Sequence, residues 1–248
     1  MPKKSVIHEY NVHEKIRINK YLSDAGICSR READRLIEAG KVTVDGKKAE
    51  MGMKVYPDQN VCVNGKRAEY EDELVLIAVN KPVGIECTSD KDNPDNIVDF
   101  VNYPTRIYTI GRLDKNSNGL ILMTNDGNIV NKISKSVNAH EKEYIVKVNQ
   151  KITDDFIKNM SQGVEVLGRM TKPCTVFRES SDTFRIILTQ GMNRQIRRMC
   201  EALGYKVLSL TRVRIMNIRL GKLKSGTYRK ITQEELNELL RQLENSVD

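Results

Sequence analysis

From residue 16 onward the chain carries two kinds of hydrophobic spacing. Ile16, Ile18, Leu22 and Ala25 recur at roughly helical intervals, and Gly26 stops the run. Ser29-Arg30-Arg31-Glu32 has the form of a capping box, with Ser29 at the N-cap and Glu32 reaching back. It predicts a second helix to about Ala39, ended by Gly40. The period then shortens. Residues 42–50 alternate about the Asp45-Gly46 turn, which predicts a hairpin, and residues 61–69 repeat the pattern about Asn64-Gly65. The first 15 residues are polar and unpatterned, as in a tail. Glu69-Tyr70-Glu71-Asp72-Glu73 reads as an acidic linker. The expected division is therefore a tail (1–15), a compact unit (16–68), a linker (69–73) and a larger domain (74–248).

In the larger domain the spacing predicts strands over 74–80, 107–113, 119–124, 143–149, 183–189 and 207–220. Helices are predicted over 95–102, 127–136, 153–162, 192–203 and 232–243, the last opened by a Thr232-x-x-Glu235 capping box. Strands and helices do not alternate regularly. That order predicts an α+β fold with a mixed, largely antiparallel sheet flanked by helices, rather than a doubly wound one.

At 248 residues the length allows one or two domains. Lysine and arginine outnumber acids 41 to 33, and the excess is clustered. Arg17, Lys20, Arg30, Arg31, Arg35, Lys41, Lys47 and Lys48 crowd the small unit. From Gly191 to Arg219 seven basic residues face one acid, Glu201. Helical spacing there would put Arg194 and Arg198 on one face and turn Arg197 about a quarter-turn away. Such clusters suit phosphate contacts. The five cysteines are scattered and form no Cys-x-x-Cys pair, and the three histidines are dispersed, so no metal centre is expected. Scattered cysteines point to a reducing compartment. The basic start lacks a following apolar run, and no membrane-length apolar stretch occurs, so a cytoplasmic protein without membrane contact is expected. A P-loop and a Gly-x-Gly-x-x-Gly fingerprint are also missing, so no nucleotide cofactor is expected.

Candidate chemistry concentrates at Gly111-Arg112-Leu113-Asp114. This turn joins the apolar runs Ile107–Ile110 and Leu120–Met123, placing one carboxylate and one arginine in a loop between two strands. Asn80-Lys81-Pro82-Val83-Gly84 is a turn after the first strand of the larger domain. Tyr144 opens an alternating strand and by itself fits a core aromatic.

The full string Gly-Arg-Leu-Asp-x-x-Ser-x-Gly-Leu, followed by Thr124-Asn125-Asp126-Gly127, resembles the catalytic motif of pseudouridine synthases. The small unit resembles the S4 (αL-like) RNA-binding domain at Ile18–Leu22, Ser29–Ala33 and Gly40–Gly46. Together they look like the RsuA-like branch acting on ribosomal RNA. The strings 96–102, 140–144 and 194–201 are most similar to the F subgroup of large-subunit enzymes. One departure is mild: relatives often carry acids near Asn116 and Asn118.

The resemblance implies isomerisation of uridine to pseudouridine in structured RNA, most readily 23S ribosomal RNA of the large subunit, by a monomer without cofactor. Asp114 would be the essential group, Tyr144 would stack on the flipped base, and Arg197 would pair with Asp114, favouring its ionised form. Arg112 would fill the vacated space or hold a flanking phosphate. Arg194 and Arg198 would bind phosphate, as would Arg17, Lys20, Arg30, Arg31, Arg35 and Lys41 of the S4 unit. The residues leave open whether Asp114 attacks C1′, attacks the base or removes the C2′ proton, and whether a tRNA is also a substrate. Two rivals are a non-catalytic S4-type ribosome assembly factor and an S4-fused methyltransferase. The first leaves the placing of Arg112, Asp114, Tyr144 and Arg197 unexplained. The second needs a Gly-rich cofactor loop that Asn80–Gly84 does not provide.

Overall fold

The computed structural model describes residues 15–69, 74–244 and 246. The expected tail and acidic linker, apart from Lys15 and Glu69, lie outside the described residues. The chain divides into two compact units, one running to Val75 with Pro104–Ile107 and Asn125–Gly127, the other holding the rest.

The first unit begins with β1 (Ile16–Arg17), α1 (Ile18–Asp24) and α2 (Arg30–Glu38). The strands β2 (Val42–Val44), β3 (Lys47–Lys48), β4 (Lys54–Val55), β5 (Val61–Val63) and β6 (Lys66–Arg67) follow. Strands β3-β2-β5-β6 form an antiparallel sheet, and β1 pairs with β4. The periodic apolar residues do close the core: Ile18, Leu22, Ala33, Ile37, Val42 and Val61 are all buried. The capping box at α2 forms by half. Ser29 Oγ accepts the Glu32 N–H at 3.1 Å, but the Glu32 carboxylate turns outward to Arg35 Nη1 at 3.2 Å. An ion pair one turn along the helix competes with the back-bond.

The second unit contains β7 (Leu76–Lys81), α3 (Ile97–Val101), β8 (Tyr108–Ile110), β9 (Asn118–Thr124), α4 (Gly127–Ser134), β10 (Lys142–Val148) and α5 (Asp154–Gln162). Next come β11 (Glu165–Val166), β12 (Arg169–Met170), β13 (Thr175–Arg178), β14 (Thr183–Leu188) and α6 (Gln195–Ala202). The chain closes with β15 (Val207–Ile215), β16 (Ile218–Arg219), β17 (Tyr228–Lys230) and α7 (Gln233–Leu243). A nine-stranded sheet runs β13-β14-β10-β15-β9-β7-β17, with β16 on β15 and β8 on β9. Within this sheet, among the described residues, only β9 and β15 pair in parallel, so the sheet is mixed and largely antiparallel, as predicted. The Thr232–Glu235 capping box of α7 forms in both directions.

Two predicted elements are interrupted by a residue in the left-handed region. The 207–220 strand is a hairpin, β15 and β16, because Met216 takes a positive φ of 50° and turns the chain. The helix expected from 192 begins only at Gln195, because Arg194 sits at the N-cap in the left-handed region, φ 52°. Arg194 and Arg198 therefore do not share a helix face, and that expectation is corrected.

Candidate active site

The Asp114 loop springs from β8 and enters β9. Its turn is closed by the Ser117 N–H donating to Asp114 O at 3.0 Å. Gly111, at φ 70°, makes the first bend. Gly119 makes the exit, at φ 104°, where a Cβ would stand 2.3 Å from Arg212 O and 2.7 Å from Arg212 N. Only glycine lets β9 lie this close to β15, whose Thr211 Oγ1 donates to Asn118 Oδ1 at 2.8 Å.

Three cations hold the loop's carbonyls. Arg197 Nη2 donates to Asn116 O at 2.8 Å and to Ser117 Oγ at 3.2 Å. Arg212 Nη1 reaches Arg112 O at 3.3 Å, while its Nε donates to Leu120 O at 2.7 Å. Lys81 is fully buried, and its Nζ donates to Ile85 O at 2.7 Å and Pro82 O at 2.8 Å, with Lys115 O at 3.5 Å. Asn80–Gly84, predicted as a plain turn, is thus the floor under the Asp114 loop. Cys87 Sγ accepts the Leu113 N–H at 3.3 Å, and burial pushes its thiol pKa up.

Arg197 Nε stands 4.0 Å from Asp114 Oδ2. Asp114 keeps about a third of its side-chain surface open, whereas Arg197 is buried. Burial, and then the charge of Arg194, pull the Arg197 guanidinium below its ordinary pKa, and Asp114 opposes them. Asp114, Arg112, Tyr144, Arg194 and Arg197 all line one cavity of about 420 Å³, which falls within the range of ordinary small-molecule sites. Tyr144 lies on β10 opposite Arg212 of β15. Arg112 and Arg194 are exposed. Arg198 is not among the residues lining the cavity; its Nη2 donates to Asn193 Oδ1 at 3.0 Å.

Of the basic residues predicted to bind RNA in the first unit, Arg17, Arg30, Arg31, Arg35 and Lys41 are exposed. Lys20 is half-buried and paired with Asp24 at 2.5 Å. Sequence reasoning did not anticipate the bonds that Lys81 and Arg212 make to backbone carbonyls, or that Lys142 lines the cavity. The available signal was a cation on the inward face of an alternating strand: Lys142 shares its face with Tyr144, Val146 and Val148, and Arg212 shares its face with Leu210.

A carboxylate facing a buried arginine that holds its loop, sharing a nucleoside-sized cavity with a tyrosine on a mixed sheet, suits an enzyme acting on a base in RNA. The family model for RNA pseudouridylate synthase matches residues 75–202, and the S4 domain model matches residues 16–59. The chain belongs to the RNA pseudouridylate synthase family and isomerises uridine to pseudouridine in RNA. It is 54% identical over 233 residues to the dual-specificity RNA pseudouridine synthase RluF of Escherichia coli K12, covering 93% of this chain and 80% of that one. It is 34% identical to the ribosomal large subunit pseudouridine synthase B of Bacillus subtilis, covering 90% and 95%. A crystal structure of a pseudouridylate synthase superposes with a TM-score of 0.67 at 27% identity, covering 90% of this chain and 99% of that one. The rival readings, assembly factor and methyltransferase, are not favoured by these relationships.

Proposed function

We propose that the substrate is ribosomal RNA of the large subunit, and that Asp114, Tyr144 and Arg197 carry the reaction. The observation behind this reading is their convergence on one cavity from three separate elements, the 111–117 loop, β10 and α6. The relatives named for RluF and for the large ribosomal subunit support the choice of RNA. A tRNA is the second substrate to test, in keeping with the dual specificity in the RluF name.

In this reading RNA docks by its phosphates on Arg17, Lys20, Arg30, Arg31, Arg35 and Lys41 of an S4 domain over 16–68, and on Arg194 and Arg198 of a catalytic domain over 74–248. Residues 1–15 serve as a tail and 69–73 as a linker. The target uridine is flipped into the cavity at a cost of a few kcal/mol. Tyr144 stacks on the base and Arg112 takes the vacated place in the RNA or a flanking phosphate. Asp114, facing Arg197, acts on the nucleoside, the C1′–N1 bond breaks, and uracil turns and rejoins through C5. The exchange is internally balanced, so it calls for no metal, nucleotide or redox cofactor, and in this reading the chain works in the cytoplasm as a monomer. Among the described residues no helix is long and apolar enough to cross a membrane.

Mapping pseudouridines in ribosomal RNA and tRNA from cells lacking the protein tests this. A large-subunit site that disappears, and returns with wild type but not with Asp114→Asn, is the expected result. A full set of pseudouridines in the deletion, or rescue by Asp114→Asn, overturns it.

A further inference from the structure

We propose that Lys142 is a further catalytic residue of this site: its ammonium holds the uracil anion by a ring carbonyl oxygen while the base is detached from the sugar. The inference rests on the reading that a uridine is flipped into this cavity.

The alternation of β10 puts Lys142 on the face of Tyr144, while Glu143 points to the other side and pairs with Arg185 and Arg214. In register, Lys142 lies between Leu188 of β14 and Ile215 of β15, both buried, and all three line the cavity. An ammonium between two aliphatic side chains is costly unless an anion meets it. Among the described residues Lys142 has no ion-pair partner, and its one hydrogen bond is to His140 O at 3.3 Å. Arg212, on the same cavity wall, is also without a carboxylate, and its Nη2 is buried with no partner. The wall thus presents two unneutralised cations to the interior, beside the tyrosine on which the base would lie. The remaining neighbours of the cavity with charge are Asp114, Arg112, Arg194 and Arg197, and His140 adjoins Lys142 along the chain. Burial, and then Arg212, pull the Lys142 pKa down to about 8. It is charged below that pH and neutral above it.

The chemistry calls for a cation here. When the C1′–N1 bond breaks, its electron pair stays on N1, and the charge spreads to O2 and O4. Bonding of C5 to the sugar then releases the C5 proton, and N1 takes one up, so no co-reactant enters. Fixed donors aimed at charge that develops only during reaction give large rate effects in water-poor sites. A phosphate is the poorer occupant of this position. The exposed Arg112 and Arg194 are open to solvent for it, whereas Lys142 sits among aliphatic side chains.

The test compares wild type, Lys142→Met and Lys142→Arg on total RNA from cells lacking the protein, reading rate at saturation, half-saturating RNA and pH profile. Lys142→Met should lower kcat about 10²-fold, keep KM within about two-fold, and melt no lower than wild type, since a half-buried charge without an ion-pair partner is replaced by an apolar chain. Lys142→Arg should retain part of the rate and shift the alkaline loss of activity, which in wild type begins near the pKa of about 8, to higher pH. Should Lys142→Met prove unfolded, the alkaline limb of Lys142→Arg decides between the outcomes. A Lys142→Met kcat within about three-fold of wild type, a loss confined to KM as for a phosphate contact, or an unmoved alkaline limb overturns the proposal and leaves the uridine reading standing. No conversion of this RNA by wild type overturns both together.

Discussion

Arg197 grips the loop that carries Asp114 as well as facing Asp114 itself. Its Nη2 is bonded to the carbonyl of Asn116 and the hydroxyl of Ser117, while its Nε, which has no hydrogen-bond partner, stands 4.0 Å from the Asp114 carboxylate. One planar guanidinium thus sets both the position of the loop and the charge beside the acid. Arg197→Lys keeps the charge but cannot span both tasks. Displacement of a reacting group by about 1 Å can cost about 10²-fold in rate, and single-turnover pseudouridine formation should fall by that order. Asp114→Asn should form none. An Arg197→Lys enzyme at wild-type rate would show that the second bond is idle.

Gly119 supports a different prediction, on stability. Alanine there meets the backbone of Arg212 at 2.3 Å and must also hold a φ of 104°. Both strands would have to part, at a cost of roughly 2–4 kcal/mol. Chemical denaturation of Gly119→Ala should show that loss, with activity lost alongside it, because the seam is also the exit of the Asp114 loop. Gly191→Ala is the control, since nothing lies within 4 Å of a Cβ there.

The pH dependence of folding should carry the mark of Glu143. Burial raises its pKa, but the guanidiniums of Arg214, at 2.6 Å, and Arg185 outweigh burial and hold it below the ordinary carboxylate range. A depressed folded-state pKa gives stability that is complete above the unfolded value of about 4.3 and is lost as pH falls through the folded one. Glu143→Gln should cost roughly 3 kcal/mol near neutrality, because it leaves two half-buried cations facing an amide. Melting curves of the two proteins should converge as the pH drops below about 4. Parallel curves at every pH would mean that the carboxylate's charge is not what stabilises this cluster.

RNA affinity should depend on salt through the exposed arginines of α2. Arg30 and Arg31 are open to solvent, so replacing each with alanine should leave melting unchanged. Each change should reduce the slope of log affinity against log salt by about 1. Filter binding across a salt series checks this; an unchanged slope would place the RNA elsewhere.

The local devices of this fold were legible in the sequence. The helix starts read at Ser29 and Thr232 depend on one hydroxyl and the third N–H along, and both form; Thr153 caps its helix in the same way. Asp114, Tyr144 and Arg197 were likewise singled out, the last two from resemblance rather than spacing. What escaped was non-local. The parallel contact of β9 with β15 joins residues 118 and 211, and no local period records such a pairing. The short strands β11, β12, β13 and β17 were missed because two to four residues cannot establish an alternation. Arg212 was counted with a basic cluster suited to phosphate and Lys142 was given no part, since composition counts a cation without telling which side of a strand it faces. The left-handed Arg194 broke a helix whose apolar pattern ran on past it.

The single parallel contact between β9 and β15 divides the sheet into two antiparallel halves. One half carries Tyr144 and the other is entered from the Asp114 loop, so the two groups proposed to carry the reaction line one cavity where the halves join, far from either rim of the sheet. Change is therefore unequally tolerated. The outlying strands β13 and β17 each stand two strands out from the strand that holds or follows one of these residues, so substitutions on their exposed faces are expected to disturb the site least. Were target choice to vary on those outer faces, the framework of the chemistry would stand, and one scaffold would serve many addresses.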